Sequence, residues 1–177
     1  MRLDRALLRS LHPVVGRWKP LDALMLAAAR WGPSLEIALW LSLLLPGGPG
    51  WRCRFRTWLR TGLALCLATG LVLALRRLAP RPRPFVAGDA RALLAREPGP
   101  SLPSRHTASA VAMALVVHSA APRRGRLMAA AAALLGLSRV YCGLHYPSDV
   151  LAGAALGLAA AWLSGPVRWL GGSGRPG

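Results

Sequence analysis

The chain has 177 residues, which is enough for one domain and leaves no room for a separate soluble module beside it. Although 54% of the residues are hydrophobic, the formal net charge is +17, because 23 lysines and arginines face only six acidic residues. The arginines stand in short clusters between long apolar runs, which is typical of a protein that crosses the membrane several times. We therefore predict an all-α integral membrane helical bundle and exclude a soluble basic protein.

The excess of basic residues does not indicate nucleic-acid binding. The chain has no long basic helix, no zinc-ligand spacing and no polar strand rich in aromatic residues on which bases could stack. Most arginines have no acidic partner, so we expect them to face water, lipid phosphates or an anionic ligand. The three cysteines lack metal-ligand spacing, and the sequence predicts no metal, no cofactor and no disulfide framework.

Residues 1–20 have the pattern of an amphipathic helix on the membrane surface. Apolar residues recur there at roughly helical spacing and alternate with basic ones: Leu3, Ala6, Leu7 and Val14 against Arg2, Arg5, Arg9, Arg17 and Lys19. Because basic side chains bind anionic headgroups, we expect this helix to lie in the interface. The segment has no continuous apolar core, so it does not predict a cleavable signal peptide.

The first predicted span covers residues 21–46. It is mostly apolar, is interrupted at residues 30–33, where a kink is expected, and ends at a turn of proline and glycine over residues 46–50. Glu36 lies within this span. Since an ionised carboxylate is costly in lipid, its side chain should face the interior of the bundle.

Four further spans follow the first. We predict them at 61–75, 104–121, 126–142 and 149–166, with a loop rich in proline and arginine over 79–103 and a tail over 167–177. Small residues dominate the last three spans, which lets helices pack closely in lipid. The five spans, or six if the first is split, form a single domain over residues 1–177, with the surface helix at 1–20 and the bundle at 21–166.

The strongly polar residues that a simple turn does not explain fall in three segments, 76–84, 103–106 and 138–149. Between the last two the chain has room for one helical crossing, a tight turn and a return, and at ~1.5 Å rise per residue each leg covers about 20–25 Å. Both ends therefore emerge on the same membrane face, where Arg76 also closes the second span. We predict that the three segments meet in one pocket at the membrane–water boundary.

The third segment contains Ser138 and Arg139, then His145 and, four residues later, Asp149. We expect Asp149 in the first turn of the last span, where the helix dipole favours a carboxylate. A histidine and an aspartate at this spacing can hydrogen-bond, so Asp149 can fix the imidazole tautomer and raise its nucleophilicity. The alternative is an interfacial histidine, with its hydrogen bonds satisfied, beside an aspartate that only caps a helix.

The other two segments supply positive charge. Ser104 and His106 stand at the start of a predicted helix, whose free N–H groups favour an anion, and His106 could donate a proton to a leaving oxygen. Segment 76–84 places arginines on a stiff loop, and their guanidinium groups suit phosphate oxygens. The alternatives are an ordinary helix capped by Ser104 and a basic stretch that contacts anionic lipid.

Together these segments resemble the signature of the type 2 phosphatidic acid phosphatase superfamily, which includes the vanadium haloperoxidases. That signature is a lysine, six residues and Arg-Pro; then Pro-Ser-Gly-His; then Ser-Arg, five residues, a histidine, three residues and an aspartate. The third element matches in full, whereas the first has Arg76 for lysine and the second has Arg105 for glycine. The other matching positions are Arg83, Pro84, Pro103, Ser104, His106, Ser138, Arg139, His145 and Asp149.

The resemblance implies a lipid phosphatase that needs no metal. It implies that His145 is the nucleophile that forms a phosphohistidine, that Asp149 orients it and that His106 is the general acid. It also implies a phosphate-binding group that stabilises the equatorial oxygens of the transition state, composed of Arg76, Arg83, Ser104, Arg105 and Arg139.

By the same resemblance, the substrate is a membrane lipid that carries a phosphate or diphosphate. Small bacterial members favour a polyprenyl phosphate or diphosphate first, and phosphatidic acid or phosphatidylglycerol phosphate second. Two hypotheses of other classes are a non-catalytic membrane protein that binds anionic lipid through its basic loop and a small transporter of an anionic solute. The sequence does not predict an oligomeric state.

The positive-inside rule does not orient the bundle. With the phosphate-site arginines and Arg30 set aside, the remaining basic residues divide equally between the two predicted faces. The resemblance alone favours a bacterial inner (plasma) membrane with the active site on the extracytoplasmic face.

Overall fold

The computed structural model describes residues 2–45, 50–94 and 98–165. Within these residues the chain forms six α-helices and no strand: α1 Arg2–Leu11, α2 Lys19–Leu41, α3 Trp51–Leu78, α4 Arg105–Ala120, α5 Pro122–Tyr141 and α6 Pro147–Leu163. Short 3-10 turns, His12–Val14 and Ser42–Leu44, follow α1 and α2. The prediction of an all-α fold is confirmed. The predicted tail over 167–177 and most of the predicted turn over 46–50 lie outside the described residues.

Helix α4 occupies the centre of the bundle and packs against α3, α5 and α6. Small buried residues recur every four positions on α3 and on α4, so both helices contribute a small-residue face to the same core cluster. That cluster comprises Ala64, Ala68, Val72, Ala108, Ala112, Val116, Ala160 and Ala161. The alanine-rich composition therefore allows the short distances between the helices that were predicted for the later spans.

Two glycines bring α6 against α4. A Cβ atom on Gly153 would lie 2.5 Å from the carbonyl oxygen of Ser104, and one on Gly157 would lie 2.4 Å from that of Ala108. Both distances are too short for any side chain, so glycine is required where the two helix backbones touch. This contact holds the first turn of α6 beside the first turn of α4, where the predicted site residues lie.

Two helices begin earlier than predicted. Helix α3 starts at Trp51, so the arginine-rich segment before the predicted span 61–75 is itself helical. Helix α5 starts at Pro122 and not at residue 126, because proline is favourable in the first turn of a helix, where its missing N–H is not needed.

Helix α2 occupies most of the first predicted span, 21–46, and continues through Pro33. Beside that proline, a Cβ atom on Gly32 would lie 3.0 Å from Cδ1 of Leu135, so α2 approaches α5 closely at this point. Glu36, one turn further along, is only 3% exposed. This burial confirms the prediction that its side chain faces the interior.

The surface of the bundle is rich in apolar side chains. Among the described residues only α3 is both long and apolar enough to cross a membrane by length and composition, with a mean hydropathy of 1.7 over its most apolar window. Large exposed apolar side chains also occur on α2, α3 and α6, including Leu24, Leu35, Ile37, Leu59, Leu63, Leu73, Leu151, Leu158 and Trp162. Exposed apolar surface of this extent fits contact with lipid. The number of spans stays a prediction.

Helix α1 is amphipathic, as predicted, and Leu3 and Leu7 are exposed on it. It also packs onto the bundle, which the sequence pattern did not predict. Leu8 is 2% exposed because it lies in a cluster with Val140 and Tyr146. The surface helix therefore contacts the segment between α5 and α6, which contains His145.

Candidate active site

Asp149 lies in the first turn of α6 and is fully buried. Pro147 is the first residue of that helix, so the carboxylate of Asp149 lies beside its free N–H groups, and Oδ2 accepts a hydrogen bond from the N–H of Tyr146 at 2.8 Å. The other oxygen, Oδ1, accepts from Nη1 of Arg81 at 2.9 Å. These two donors fix the orientation of the carboxylate.

His145 is fully buried beside Asp149. Its Nδ1 is 3.6 Å from Oδ2 of Asp149, slightly longer than a hydrogen bond, and its Nε2 is 3.3 Å from Nη1 of Arg83. Because a guanidinium group only donates, Nε2 is the unprotonated nitrogen in this arrangement, and Nδ1 carries the hydrogen that faces Asp149. The imidazole therefore presents the lone pair of Nε2 to an arginine.

Burial is the main cause of a lowered pKa for His145, to about 4. The contact with Asp149 raises this pKa, while the charges of Arg83 and Arg139 lower it. The imidazole is therefore neutral at pH 7, which is the state that a nucleophile requires.

Arg83 holds the Nε2 side of the imidazole. It lies on the loop after α3 and is 2% exposed, and its Nη1 and Nε donate to the carbonyl oxygens of Leu144 and Gly99, both at 3.2 Å. Burial lowers the pKa of Arg83, whereas the charge of Asp149 raises it. Prolines on both sides restrict the backbone, so the guanidinium group is already fixed before an anion binds.

The start of α4 is joined to the start of α6. Ser104 is the N-cap of α4, and its Oγ accepts from the N–H of Thr107 at 3.4 Å and lies 3.0 Å from Oγ1 of the same residue. The N–H of Ser104 donates to the carbonyl oxygen of Asp149 at 2.9 Å. The second and third motif segments therefore meet, and the Ser104 hydroxyl caps the helix as well as lying in the site.

Three further predicted residues lie around the same helix end. Arg76, in the last turn of α3, donates through Nε and Nη2 to the carbonyl oxygen of Pro103 at 3.3 and 3.1 Å. His106 is half-buried in the first turn of α4, and Arg105 before it is exposed. The charges of Arg76, Arg83 and Arg105 all act on His106, so the first and second motif segments lie within electrostatic range of each other.

Arg139, in the last turn of α5, completes the set of predicted phosphate-binding arginines. It is 2% exposed, its Nη1 donates to the carbonyl oxygen of Ala29 at 3.2 Å, and its charge acts on His145. Ser138, its neighbour in the motif, donates through Oγ to the carbonyl oxygen of Leu135 at 2.7 Å. That hydroxyl therefore bonds within α5.

Arg81 and Asp4 lie beside the site although the motif spacing did not predict them there. Arg81 bridges two carboxylates, since Nη1 donates to Asp149 and Nη2 donates to Oδ2 of Asp4, both at 2.9 Å. Its guanidinium carbon lies 3.8 Å from the ring centroid of Tyr146. Asp4 also accepts from the N–H and Oγ of Ser148, at 3.0 and 2.6 Å. Helix α1 thereby supports the carboxylate that faces His145.

One signal for this contact was present in the sequence. Asp4 is the only acidic residue in segment 1–20, and a helix that only binds anionic headgroups does not need it.

A second carboxylate supports the same region: Oδ2 of Asp89 accepts from the hydroxyl of Tyr146 at 2.7 Å and from Nε of Arg5 at 2.9 Å. The hydrogen bond from Tyr146 is the main cause of a lowered pKa for Asp89.

The assembled group is cationic. Arginines gather around one buried carboxylate and two histidines, from α3, the following loop, α4 and α5: Arg76, Arg81, Arg83, Arg105 and Arg139. In the part of the chain that the structure describes, no three His, Cys, Asp or Glu residues are grouped as metal ligands. Chemically, the group offers a neutral imidazole, an orienting carboxylate and several donors for an oxyanion.

The sequence profile of the PAP2 superfamily matches residues 57–170, a range that includes every predicted site residue. The chain belongs to the PAP2 superfamily. Asp4 lies before the matched range. The similarity extends to solved structures with this fold.

Among curated PAP2 relatives, the chain is similar to the decaprenylphosphoryl-5-phosphoribose phosphatase of Mycobacterium tuberculosis, at 36% identity over 121 residues. The match covers 67% of this chain and 65% of that relative, so the chain spans slightly less than two-thirds of the relative's length.

Two solved structures have the same helical-bundle fold. LpxE from Aquifex aeolicus superimposes with a TM-score of 0.73 and 28% identity, over 90% of this chain and 92% of that one. A transmembrane PAP2 type phosphatidylglycerolphosphate phosphatase from Bacillus subtilis superimposes with a TM-score of 0.69 and 23% identity, over 92% and 83%. The fold is that of a membrane PAP2 protein.

Proposed function

We propose that the chain is a metal-independent phosphatase that hydrolyses a phosphate or diphosphate on a membrane lipid through a phosphohistidine at His145. One observation carries the proposal: the imidazole is buried, with Nε2 directed at Arg83 and Nδ1 at Asp149. The tautomer and the neutral state are those of a nucleophile, and the neighbouring arginines suit a phosphate dianion. Membership of the PAP2 superfamily supports the same reaction.

In the first step, Nε2 of His145 attacks phosphorus, and the bond from phosphorus to the leaving oxygen breaks. His106 gives its proton to that oxygen, so the product leaves as an alcohol or, from a diphosphate, as a lipid monophosphate. Nδ1–H stays directed at Asp149, which stabilises the positive charge that develops on the ring. In the second step, water attacks the phosphohistidine, its proton passes to His106, and inorganic phosphate leaves.

The arginines have an electrostatic role in this scheme. Arg83 contacts Nε2 itself, so a bound phosphoryl group inserts between the guanidinium group and the attacking nitrogen. Arg139, Arg76, Arg105 and Ser104 surround the remaining oxygens. Donors that are fixed before the reaction stabilise the charge of the transition state without reorganisation, which is a large contribution to phosphoryl transfer.

For the substrate we propose a polyprenyl phosphate or diphosphate. The relative from Mycobacterium tuberculosis is named for a decaprenyl lipid phosphate, which supports this choice. Phosphatidic acid and phosphatidylglycerol phosphate are the alternatives. We also propose that the protein lies in a bacterial inner membrane with the active site on the extracytoplasmic face.

The test is phosphate release in detergent from each of these four lipids, with EDTA present. The wild type should release phosphate from at least one of them, and His145→Ala should lower kcat by at least about 10³-fold. His118→Ala is the matched control, because this second histidine of α4 lies at the opposite end of the helix and should leave the rate unchanged. Acid-labile label from a ³²P substrate should appear on the wild type and not on His145→Ala.

Other outcomes would favour a different mechanism or a protein without catalytic activity. Turnover that survives His145→Ala would exclude the phosphohistidine, and complete inhibition by EDTA would exclude the metal-free reaction. Binding of anionic lipid without release of phosphate by the wild type would favour the non-catalytic lipid-binding hypothesis.

A further inference from the structure

A second cluster of arginines lies at the start of α3. Arg52, Arg56 and Arg60 are spaced by four residues and therefore share one side of the helix. All three line one cavity of ≈ 830 Å³, together with Ser119 and Ser164. None of these residues takes part in the candidate active site.

This cavity lies on the opposite face of the bundle. Ser119 is in the last turn of α4 and Ser164 follows the last residue of α6, whereas Ser104 and Asp149 lie at the other ends of these helices. At ~1.5 Å per residue, the 16 residues of α4 separate the two sites by about 20–25 Å. The cavity is therefore a separate site.

In the described part of the chain, no acidic side chain pairs with the arginines of this site. The sequence contains no acidic residue in 37–88, in 98–148 or after Asp149. Among the described residues, none of the three arginines forms an ion pair, and Arg60 donates only to neutral oxygens, including the carbonyl of Gly165 at 2.6 Å. Like charges four residues apart repel, and cations near a helix N-terminus oppose the helix dipole. An anion that binds here removes both penalties.

The cavity also has an apolar side. Leu59 and Leu63 line it one and two turns beyond Arg56, and each is 50% exposed. Near the arginines, Trp51, Phe55 and Trp58 form a stack of rings, and aromatic side chains of this kind concentrate at the membrane–water interface. A free phosphate ion uses only the arginines, whereas a phospholipid uses the arginines for its headgroup and the leucines for its chain.

We propose that this cavity binds the phosphodiester headgroup of an anionic phospholipid in the leaflet opposite the active site. Arg52 and Arg56 contact the phosphate, Arg60 fixes the depth of the headgroup between α3, α4 and α6, and one acyl chain runs along Leu59 and Leu63. This site binds a lipid that the active site does not hydrolyse. It is independent of the proposed phosphatase function.

The test measures the melting temperature of the purified full chain in neutral detergent, with dioleoylphosphatidylglycerol as the probe. This lipid is a phosphodiester, so it offers no phosphomonoester to the active site. At about a hundred times its Kd it should raise the melting temperature by about 5–10 °C. Arg52→Gln/Arg56→Gln should lose more than half of this rise, and without lipid it should melt no lower than the wild type, because the mutual repulsion is gone.

Arg123→Gln/Arg124→Gln is the matched control, since it removes two exposed arginines from the same face that do not line this cavity. It should keep the full rise. An equal rise for the wild type and Arg52→Gln/Arg56→Gln, or an equal loss in the control, would overturn the site. An equal rise with phosphatidylcholine would show that the site does not require a net negative charge. An equal rise with inorganic phosphate alone would show that the site binds a free ion and not a lipid. Unchanged phosphate release by Arg52→Gln/Arg56→Gln shows that the variant is folded.

Discussion

At the scale of one residue, the lowered pKa of His145 predicts how the activity depends on pH. An imidazole with a pKa of about 4 is neutral above that pH and loses its lone pair below it. We therefore expect kcat/KM to fall on the acid side near pH 4, about 2.5 pH units below the pKa of an ordinary histidine. The measurement is kcat/KM between pH 3.5 and 8, with the activity recovered at pH 7 as the control for acid unfolding.

Asp149→Asn sharpens that measurement. Because Asp149 raises the pKa of His145, its removal should move the acid limb to still lower pH while it lowers the maximum rate. An acid limb near pH 6.5 in the wild type would contradict the conclusion that burial lowers the pKa of this imidazole.

Asp4 gives a second prediction at this scale. Asp4→Asn removes the charge that holds Arg81 and weakens the contacts with Ser148, so the support of Asp149 loosens. A hydrogen bond to a charged group contributes about 1.5–3 kcal/mol, so kcat should fall about tenfold or more, with KM nearly unchanged. The measurement is kcat and KM in detergent for one lipid phosphate.

The control for Asp4 is Asp22→Asn. Asp22 is also a carboxylate bound by hydrogen bonds, from Tyr141 at 2.6 Å and Gly16 at 3.0 Å. Within the described part of the chain, Arg81 and Asp149 form no hydrogen bond with it. It should leave kcat unchanged. If both variants lose the same fraction of kcat, a general loss of stability is the cause and the positioning role of Asp4 is wrong.

Single residues were predictable from sequence where spacing alone decides contact. His145 and Asp149 are four residues apart across a helix start, so their proximity follows from local geometry. Arg81 and Arg83 alternate on a proline-rich loop, and nothing local indicates which of them turns to the carboxylate. The contact of Asp4 spans almost the whole chain, and it depends on how α1 packs.

At the scale of helices, Gly153 lies where α6 approaches the start of α4 beside the site. Gly153→Ala places a methyl group 2.5 Å from the carbonyl oxygen of Ser104, so α6 must move away from α4. We expect a loss of about 1–3 kcal/mol in the free energy of unfolding and a clear loss of kcat, because the N–H of Ser104 then leaves the carbonyl of Asp149. Thermal unfolding and phosphate release measure the two effects.

Gly70→Ala is the control substitution for this helix contact. Gly70 lies in α3, and a Cβ atom there meets nothing within 4 Å. Alanine is the better helix former, so this variant should be as stable as the wild type or slightly more stable. Equal losses at Gly70 and Gly153 would show that close approach of α4 and α6 is not the cause.

Helix positions followed from the apolar runs, but their ends did not. Hydropathy predicts the part of a helix that contacts lipid, so the predicted span starts at residue 61, whereas α3 begins at Trp51. The short helix α1 illustrates a second limit. An amphipathic pattern indicates one apolar side, and it does not distinguish a membrane surface from the surface of the same protein, on which Leu8 packs.

At the scale of the whole molecule, the two faces differ in acidic residues and not in basic ones. Asp4, Asp89 and Asp149 all support the active-site face, whereas the face with Arg52, Arg56 and Arg60 has no carboxylate nearby in the sequence. Acidic residues contribute little to topology, so this difference does not orient the chain. The numbers of acidic and basic residues therefore do not determine the orientation of the chain in the membrane. Chemical labelling of a residue on a known face can determine it.

Cys53 provides that label. It is exposed in the first turn of α3 and lines the cavity opposite the active site. If the active site is extracytoplasmic, Cys53 faces the cytoplasm, and a membrane-impermeant maleimide should label it only after the cells are permeabilised. Ala87→Cys in a Cys53→Ser background, on the exposed loop after Arg83, should be labelled in intact cells. Cys53→Ser alone should stay unlabelled, because Cys142 is buried and Cys66 lies within the apolar part of α3. Labelling of Cys53 in intact cells, with Ala87→Cys protected, would place the active site in the cytoplasm and reverse the proposed topology.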